Sequence, residues 1–164
     1  GGFKNKFVKS LKDAVEGKKS DYSCKIHRLN RTGTATGELI GGNLSLLAHL
    51  TGTASDIDTK GKILFLEDVG EQLYNIDRMM HQLKRSGKLN HLAGLVIGGF
   101  TDMKDTERPF GKKVYDLIYD VIEEFGYPVC FGFPVSHTND NYALKCGVAH
   151  RLKISRSAVQ LLEQ

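Results

Sequence analysis

Apolar residues in this chain fall into two patterns, and their alternation lays out most of the expected fold. Uninterrupted runs of strand length occupy 63–66, 92–100 and 127–131, without the polar alternation of a half-solvated strand, so each is expected to be a strand covered on both faces of a parallel sheet. Between them the spacing turns helical. Leu73, Ile76, Met79, Met80 and Leu83 share one face of a helix predicted over 72–86 and ended at Gly87. Val114, Leu117, Ile118, Val121 and Ile122 share one face of a second, over 110–125, ended at Gly126. Strand, helix, strand, helix, strand in this order implies right-handed crossovers.

The flanks are less regular. Phe3, Phe7, Val8, Leu11, Ala14 and Val15 predict a short amphipathic helix over 4–16, stopped by Gly17. Imperfect alternation over 23–29, a Thr- and Gly-rich turn at 33–37 and a further strand at 37–40 read as an antiparallel hairpin. Gly41-Gly42-Asn43 then opens a helical run, Leu44, Leu46, Leu47, Ala48 and Leu50, with Asn43 as its N-cap. The glycine pair could expose N–H groups to an anion, but it matches neither a Walker loop nor G-x-G-x-x-G, and a tight turn that lets the helix pack closely on the sheet is the plainer alternative. Short strands at 142–144, 149–154 and 158–162, split by Gly147 and Ser155-Arg156-Ser157, complete an antiparallel portion. The expected class is α/β, with a parallel central sheet and a smaller antiparallel layer.

With 164 residues, 40% hydrophobic and 26% charged, one core is the default. No run approaches the roughly 20 apolar residues of a membrane helix, and no secretory leader pattern opens the sequence. Cys24, Cys130 and Cys146 are widely spaced and outside any C-x-x-C arrangement, which indicates neither a disulfide framework nor a zinc site and fits a reducing compartment. The net charge of +4 belongs to one end: residues 1–31 hold nine Lys/Arg against three Asp/Glu. No aromatic-interleaved patch or RNP-like run accompanies that basicity, so a solvated helix face is expected rather than a nucleic-acid site. The opening Gly-Gly, with no initiator Met and no preceding cap, is expected of a cut chain or an expression scar.

The candidate chemistry sits where apolar runs end. Glu67 follows the strand at 63–66, and His137 follows the run at 127–131 through Gly132-Phe-Pro-Val-Ser136. Sites in open α/β sheets form beyond the carboxyl ends of strands, so these two are expected to meet. A carboxylate bonded to one imidazole nitrogen fixes the tautomer and frees the other to take a proton from a nucleophile. The bland reading is a strand-end Glu stabilised by the next helix dipole and a structural loop His. Asp68 and Glu71 fit that reading better, at or before the first turn of the following helix. A metal held by Glu67, Asp68, Glu71, His137 and Asp140 is disfavoured, because there is no paired-His spacing and His27, His49, His81, His91 and His150 are scattered. No G-x-S-x-G elbow exists, Ser136 would normally point away from His137, and Cys130 lies in an apolar run that disfavours its thiolate. A base and its orienter are visible; their nucleophile is not.

Taken together, Gly41-Gly42-Asn43-Leu44-Ser45-Leu46-Leu47-Ala48, Leu64-Phe-Leu-Glu67-Asp-Val-Gly-Glu71, Ile76-Asp77-Arg78-Met79 with Gln82-Leu83, Gly98-Gly99-Phe100, and Gly132-Phe-Pro-Val-Ser-His137-Thr-Asn-Asp140-Asn141-Tyr-Ala-Leu144 with Gly147 resemble the C-terminal half of the LD-carboxypeptidases (muramoyltetrapeptide carboxypeptidases). The resemblance runs from about Ile40 to the end. It implies a swivelling β/β/α domain over 21–164, with 1–20 a helix and linker remnant of a missing nucleophile domain. It also implies a Ser-Glu-His triad whose last two members fall on Glu67 and His137, with no cofactor and no metal. Family members are cytoplasmic and commonly homodimeric, and remove the terminal D-alanine from murein tetrapeptides in peptidoglycan recycling. Their serine and oxyanion hole belong to the N-terminal domain, so the implied partners are a murein tetrapeptide, that domain and a second copy, with neither nucleic acid nor membrane. A microcin-immunity peptidase of the same family and a non-enzymatic ligand-binding or assembly module are the competing expectations. Lys145 is weighed as a contact for a substrate carboxylate against an ordinary solvated lysine.

Overall fold

Seven strands and four helices make up the protein in a computed structural model that describes residues 5–164. The strands are β1 (Asp21–Cys24), β2 (Gly33–Asn43), β3 (Ile63–Val69), β4 (Gly94–Thr101), β5 (Val129–Phe131), β6 (Ala149–Ile154) and β7 (Val159–Glu163). The helices are α1 (Lys6–Val15), α2 (Leu44–Leu50), α3 (Leu73–Arg85) and α4 (Val114–Ile122). The sheet order is β1-β7-β6-β2-β3-β4-β5. From β2 to β5 the strands are parallel; from β1 to β2 they are antiparallel.

Strand alternation sorts the side chains into two cores. Leu64, Leu66, Leu95, Ile97, Val129 and Phe131 face α3 and α4, whose Ile76, Met80, Leu83, Ile118, Val121 and Ile122 complete that cluster. Ile63, Phe65, Val96 and Cys130 face the other way, into a cluster with Leu152, Ile154, Val159 and Leu161 of the antiparallel strands. The antiparallel half therefore curls over the rear of the parallel half. The layers run antiparallel strands, parallel strands, helices, as expected of a β/β/α domain.

β2 joins the two halves. Residues 33–38 pair antiparallel with β6 and residues 39–43 pair parallel with β3. Within the parallel stretch Gly41, paired with Phe65, has φ 139°, and an added Cβ there would lie 2.0 Å from the Phe65 carbonyl oxygen. The pair is therefore not the expected tight turn beneath a helix: both glycines lie in β2, Gly41 against the β3 backbone and Gly42 with open space where a Cβ would be. Asn43 caps α2, its Oδ1 accepting from Leu46 N at 3.2 Å.

Three further expectations are corrected. The hairpin joining 23–29 to 37–40 does not form: β1 pairs with β7, residues 25–32 form no strand and touch the sheet through a bridge from Arg31 to Val129, and β2 takes β6 and β3 as neighbours. Both partners of the antiparallel portion come from more than a hundred residues away, which local alternation does not reveal. Residues 142–144 are not a strand, because side chains and a loop carbonyl take their backbone groups. Tyr142 N donates to Pro134 O, Ala143 N to Ser10 Oγ, and the Tyr22 hydroxyl to Ala143 O. The helix predicted over 110–125 is shorter, Val114–Ile122, and its carboxyl end is held by Arg31, whose guanidinium donates to the carbonyls of Ile122, Glu123, Phe125 and Tyr127.

The helix expected over 4–16 appears as α1 with Asn5 as N-cap; Phe3, Lys4 and the opening glycines lie outside the described residues. Some of the basic side chains at this end are paired. Lys9 and Lys18 pair with Asp13, Lys12 and Lys18 with Glu16, and Arg28 with Asp116. Among the described residues no helix is long and apolar enough to cross a membrane.

Candidate active site

Glu67 and His137 meet. His137 Nδ1 lies 2.8 Å from Glu67 Oε2, although the residues are 70 positions apart. Glu67 follows Ile63 and Phe65 on the rear face of β3, and its side chain is 10% exposed; the imidazole, at 53%, stands out towards solvent. A carboxylate only accepts, so Nδ1 carries the proton and Nε2 is left as the basic nitrogen. Among the described residues Nε2 takes no hydrogen-bond partner. The pair opens on a cavity of about 370 Å³ lined by Phe65, Glu67, Val135, Ser136, His137, Thr138 and Asn141.

The histidine loop is seated by the glycines at the end of β4. The β3–β4 register shifts between Leu66 and Asp68, so that Glu67 lies beside Gly98 and Gly99. A Cβ on Gly98 would sit 2.3 Å from Val135 O, and one on Gly99 2.5 Å from Ser136 Cβ. With no side chains there, Gly99 N donates to Val135 O at 2.9 Å and the loop lies directly on the strand. The Tyr115 hydroxyl fixes Gly98 from the helical side by donating to its carbonyl at 2.8 Å.

Beyond Val135 the loop ties itself. Asn141 Oδ1 accepts from Ser136 N, Ser136 Oγ shares a hydrogen bond with Thr138 Oγ1 at 2.7 Å, and Thr138 N donates back to Ser136 Oγ. Ser136 is thus committed to a turn. The sequence reading did not single out Thr138, Asn141 or Phe65. The Ser-His-Thr-Asn-Asp-Asn run carries the signal for the first two, since such side chains bond their own backbone in turns.

The other acids go elsewhere. Asp68, 2% exposed, points to the opposite face of β3, where Oδ2 accepts from Ser45 N at 3.0 Å and Oδ1 from Asn43 Nδ2 at 2.8 Å. It serves the start of α2 behind it in sequence, not the helix ahead, which corrects the expected placement. Glu71 lies before the Gln72 N-cap of α3 and accepts from Asn75 Nδ2 at 2.9 Å. Asp140 is exposed. Among the described residues no three His, Cys, Asp or Glu side chains are grouped to hold a metal ion. Lys145 is neither solvated nor in the cavity: Nζ pairs with Glu163 at 2.8 Å and donates to Lys18 O.

Residues 36–152 match the model of the LD-carboxypeptidase C-terminal domain. The chain belongs to the LD-carboxypeptidase family. It is 42% identical over 115 residues to a probable murein peptide carboxypeptidase of Bacillus subtilis (strain 168), covering 70% of this chain and 36% of that protein. It is 27% identical over 137 residues to the microcin C7 self-immunity protein MccF of Escherichia coli, covering 81% and 38%. The muramoyltetrapeptide carboxypeptidase of Oxalobacter formigenes superposes with a TM-score of 0.87 at 29% identity, over 97% of this chain and 55% of that one. The chain thus spans little more than a third of these curated relatives, and the match to this LD-carboxypeptidase domain includes the strands and loop that carry Glu67 and His137.

Proposed function

We propose that the chain supplies Glu67 and His137 to a Ser-Glu-His triad in a serine-type LD-carboxypeptidase, a cytoplasmic homodimer that removes the terminal D-alanine from murein tetrapeptides in peptidoglycan recycling. The observation that carries this reading is the 2.8 Å contact of His137 Nδ1 with a nearly buried carboxylate at the mouth of an open cavity. Family membership supports the reaction class, and the names of the Bacillus and Oxalobacter relatives support the substrate.

The serine of this proposal lies outside residues 1–164. Its hydroxyl gives its proton to His137 Nε2 as the oxygen attacks the carbonyl carbon before D-alanine. Glu67 steadies the imidazolium that forms. Nε2 then protonates the departing amine, and water, deprotonated by the same nitrogen, releases the acyl-enzyme. A fragment holding only the acid and the base has no acyl acceptor and turns nothing over alone.

The test uses a complete protein that carries this chain, assayed for release of D-alanine from murein tetrapeptide. Glu67→Gln or His137→Ala lowers turnover by roughly 10³-fold or more. Turnover at the unsubstituted rate in either variant refutes the assignment. The likeness to MccF over most of this chain supports a second reading, a peptidase acting on peptidyl-nucleotides or acyl-sulfamoyl adenylates with the same triad. Assay of both substrate types decides between them, and failure to hydrolyse either favours a non-enzymatic module.

A further inference from the structure

The loop that carries His137 is closed at its base, where Tyr142 N donates to Pro134 O at 2.8 Å. Its outgoing arm lies on β4, with Phe133 N donating to Ile97 O at 3.1 Å and Gly99 N to Val135 O at 2.9 Å. Its returning arm, Tyr142 and Ala143, is held by elements from the other end of the chain. Ala143 N donates to Ser10 Oγ of α1 at 3.0 Å, and Ala143 O accepts from the Tyr22 hydroxyl of β1 at 2.8 Å. Both backbone polar groups of Ala143 are thus engaged by side chains more than a hundred residues away.

The clamp is firmly seated. Ser10 is 4% exposed, and its hydroxyl proton goes to Phe7 O at 2.7 Å, which leaves the oxygen to accept from Ala143 N. The Tyr22 ring stacks on that of Tyr142, with centroids 4.4 Å apart and planes 14° apart, and Phe7 closes on the same ring at 4.8 Å. The His137 imidazole has no such support. Its side chain stands out to solvent, and among the described residues Glu67 is its one hydrogen-bond partner, so the ring goes where the loop backbone puts it. Misplacing a reacting group by about 1 Å costs about 10²-fold in rate, so what fixes this backbone bears on the chemistry. Ser10 and Tyr22 both lie ahead of 36–152, the stretch that matches the family domain.

We infer that Ser10 and Tyr22 are positioning residues for His137: by fixing Ala143 they set the returning arm of the loop, and the arm holds Nδ1 at Glu67 and leaves Nε2 to the open cavity. Without the Ser10 oxygen the Ala143 N–H has no acceptor at a partly buried position, and the arm shifts. The imidazole then spends less time at Glu67, and its proton is no longer confined to Nδ1, because the carboxylate is what selects that tautomer. The catalytic consequence rests on the triad reading; the geometric one does not.

A complete protein that carries this chain, isotopically labelled at its histidine nitrogens, is compared with its Ser10→Ala, Ser10→Thr and Tyr22→Phe variants, and His137→Ala assigns the signal. Thr59→Val is the control: it removes another buried hydroxyl bond, to Lys88 O, ahead of the opposite end of β3 from Glu67. Ser10→Ala is expected to weaken the His137 Nδ1–H signal at least about twofold, to move the proton partly to Nε2, and to lower kcat for D-alanine release about 10-fold with KM within about twofold. Tyr22→Phe, which keeps the ring stack, does the same to a smaller extent, and Ser10→Thr, which keeps the oxygen, recovers most of the loss. Thr59→Val changes neither readout. If Ser10→Ala does not fold, Tyr22→Phe carries the test. An unchanged Nδ1–H signal in the folded variants overturns the inference whatever the enzyme assay gives. So does an equal weakening in Thr59→Val, which marks general loosening. Should His137→Ala leave D-alanine release unchanged, the triad reading falls, and the Nδ1–H signal alone decides whether Ser10 and Tyr22 position the ring.

Discussion

Glu67 and Asp68 are adjacent carboxylates in one strand, and the pleat sends them to opposite faces of the sheet. One receives His137 Nδ1 at 2.8 Å in front of the open cavity; the other receives Ser45 N at 3.0 Å and Asn43 Nδ2 at 2.8 Å beneath α2. The face decides the role. Asp68→Ala leaves the Ser45 N–H and the Asn43 amide without this acceptor at partly buried positions, and is expected to cost about 1–3 kcal/mol. Glu67→Gln keeps an oxygen able to accept from Nδ1 and is expected to stay within about 1 kcal/mol. Urea unfolding of the chain checks both, and equal losses would mean that the two carboxylates are not divided in this way.

The order of elements from β3 to β5 is legible in the sequence because each strand is buried on both faces and therefore reads as an unbroken apolar run. The meeting of Glu67 with His137 is legible for a related reason: parallel strands end on the same edge. Asp68 is misread because two neighbouring acids look alike until the pleat separates them, and because the helix it caps comes before it in the chain. The hairpin at 23–40 is misread because β2 changes partner half-way, from β6 to β3, and nothing local marks where one pairing stops. Gly98 and Gly99 announce a close approach without saying to what. Only the fold supplies Val135 and Ser136.

That close approach yields a second prediction. Gly99→Ala puts a methyl 2.5 Å from Ser136 Cβ, and Gly98→Ala puts one 2.3 Å from Val135 O, so the histidine loop must lift from β4. Each is expected to cost about 1–3 kcal/mol and to weaken the Nδ1–H signal of His137 in proton NMR. Gly126→Ala, where no atom lies within 4 Å of the added carbon, is expected to stay within about 0.5 kcal/mol and leave that signal unchanged. An unchanged signal in Gly99→Ala would show that the loop does not depend on this seat.

A third prediction concerns acid stability. Glu163 accepts from Lys145 Nζ and Ser20 N, each at 2.8 Å, and from Ser20 Oγ at 3.2 Å. Burial pushes its pKa up, but the Lys145 ammonium and the Ser20 amide outweigh it and hold the carboxyl below the ordinary value of 4.5. A folded-state pKa lowered in this way contributes stability fully above 4.5, and that contribution is lost as the pH falls through the folded value. Lys145→Met is therefore expected to lower the urea midpoint at neutral pH, with the gap to the parent chain shrinking below pH 4.5 as both forms protonate. A gap independent of pH would assign the loss to packing of the lysine stem instead.

Arg31 does for α4 what Asp68 does for α2, from the opposite end and with the opposite charge. Nη2 donates to Ile122 O at 3.3 Å and Glu123 O at 3.1 Å, while Nη1 donates to Phe125 O and, at 3.3 Å, to Tyr127 O. These are carbonyls of the last turn and the chain leaving it, which a helix cannot satisfy internally. The planar fork reaches four of them; a lysine ammonium, with its donors on one atom, does not. Arg31→Ala is expected to cost about 1–3 kcal/mol, and Arg31→Lys to recover less than half of that. Because the Arg31 backbone also pairs with Val129, the loss should be local as well as global: amides near the carboxyl end of α4 and in β5 should exchange faster relative to those of β3. Full rescue by lysine, or faster exchange spread evenly over the chain, would show that the charge alone matters and that the forked geometry does not.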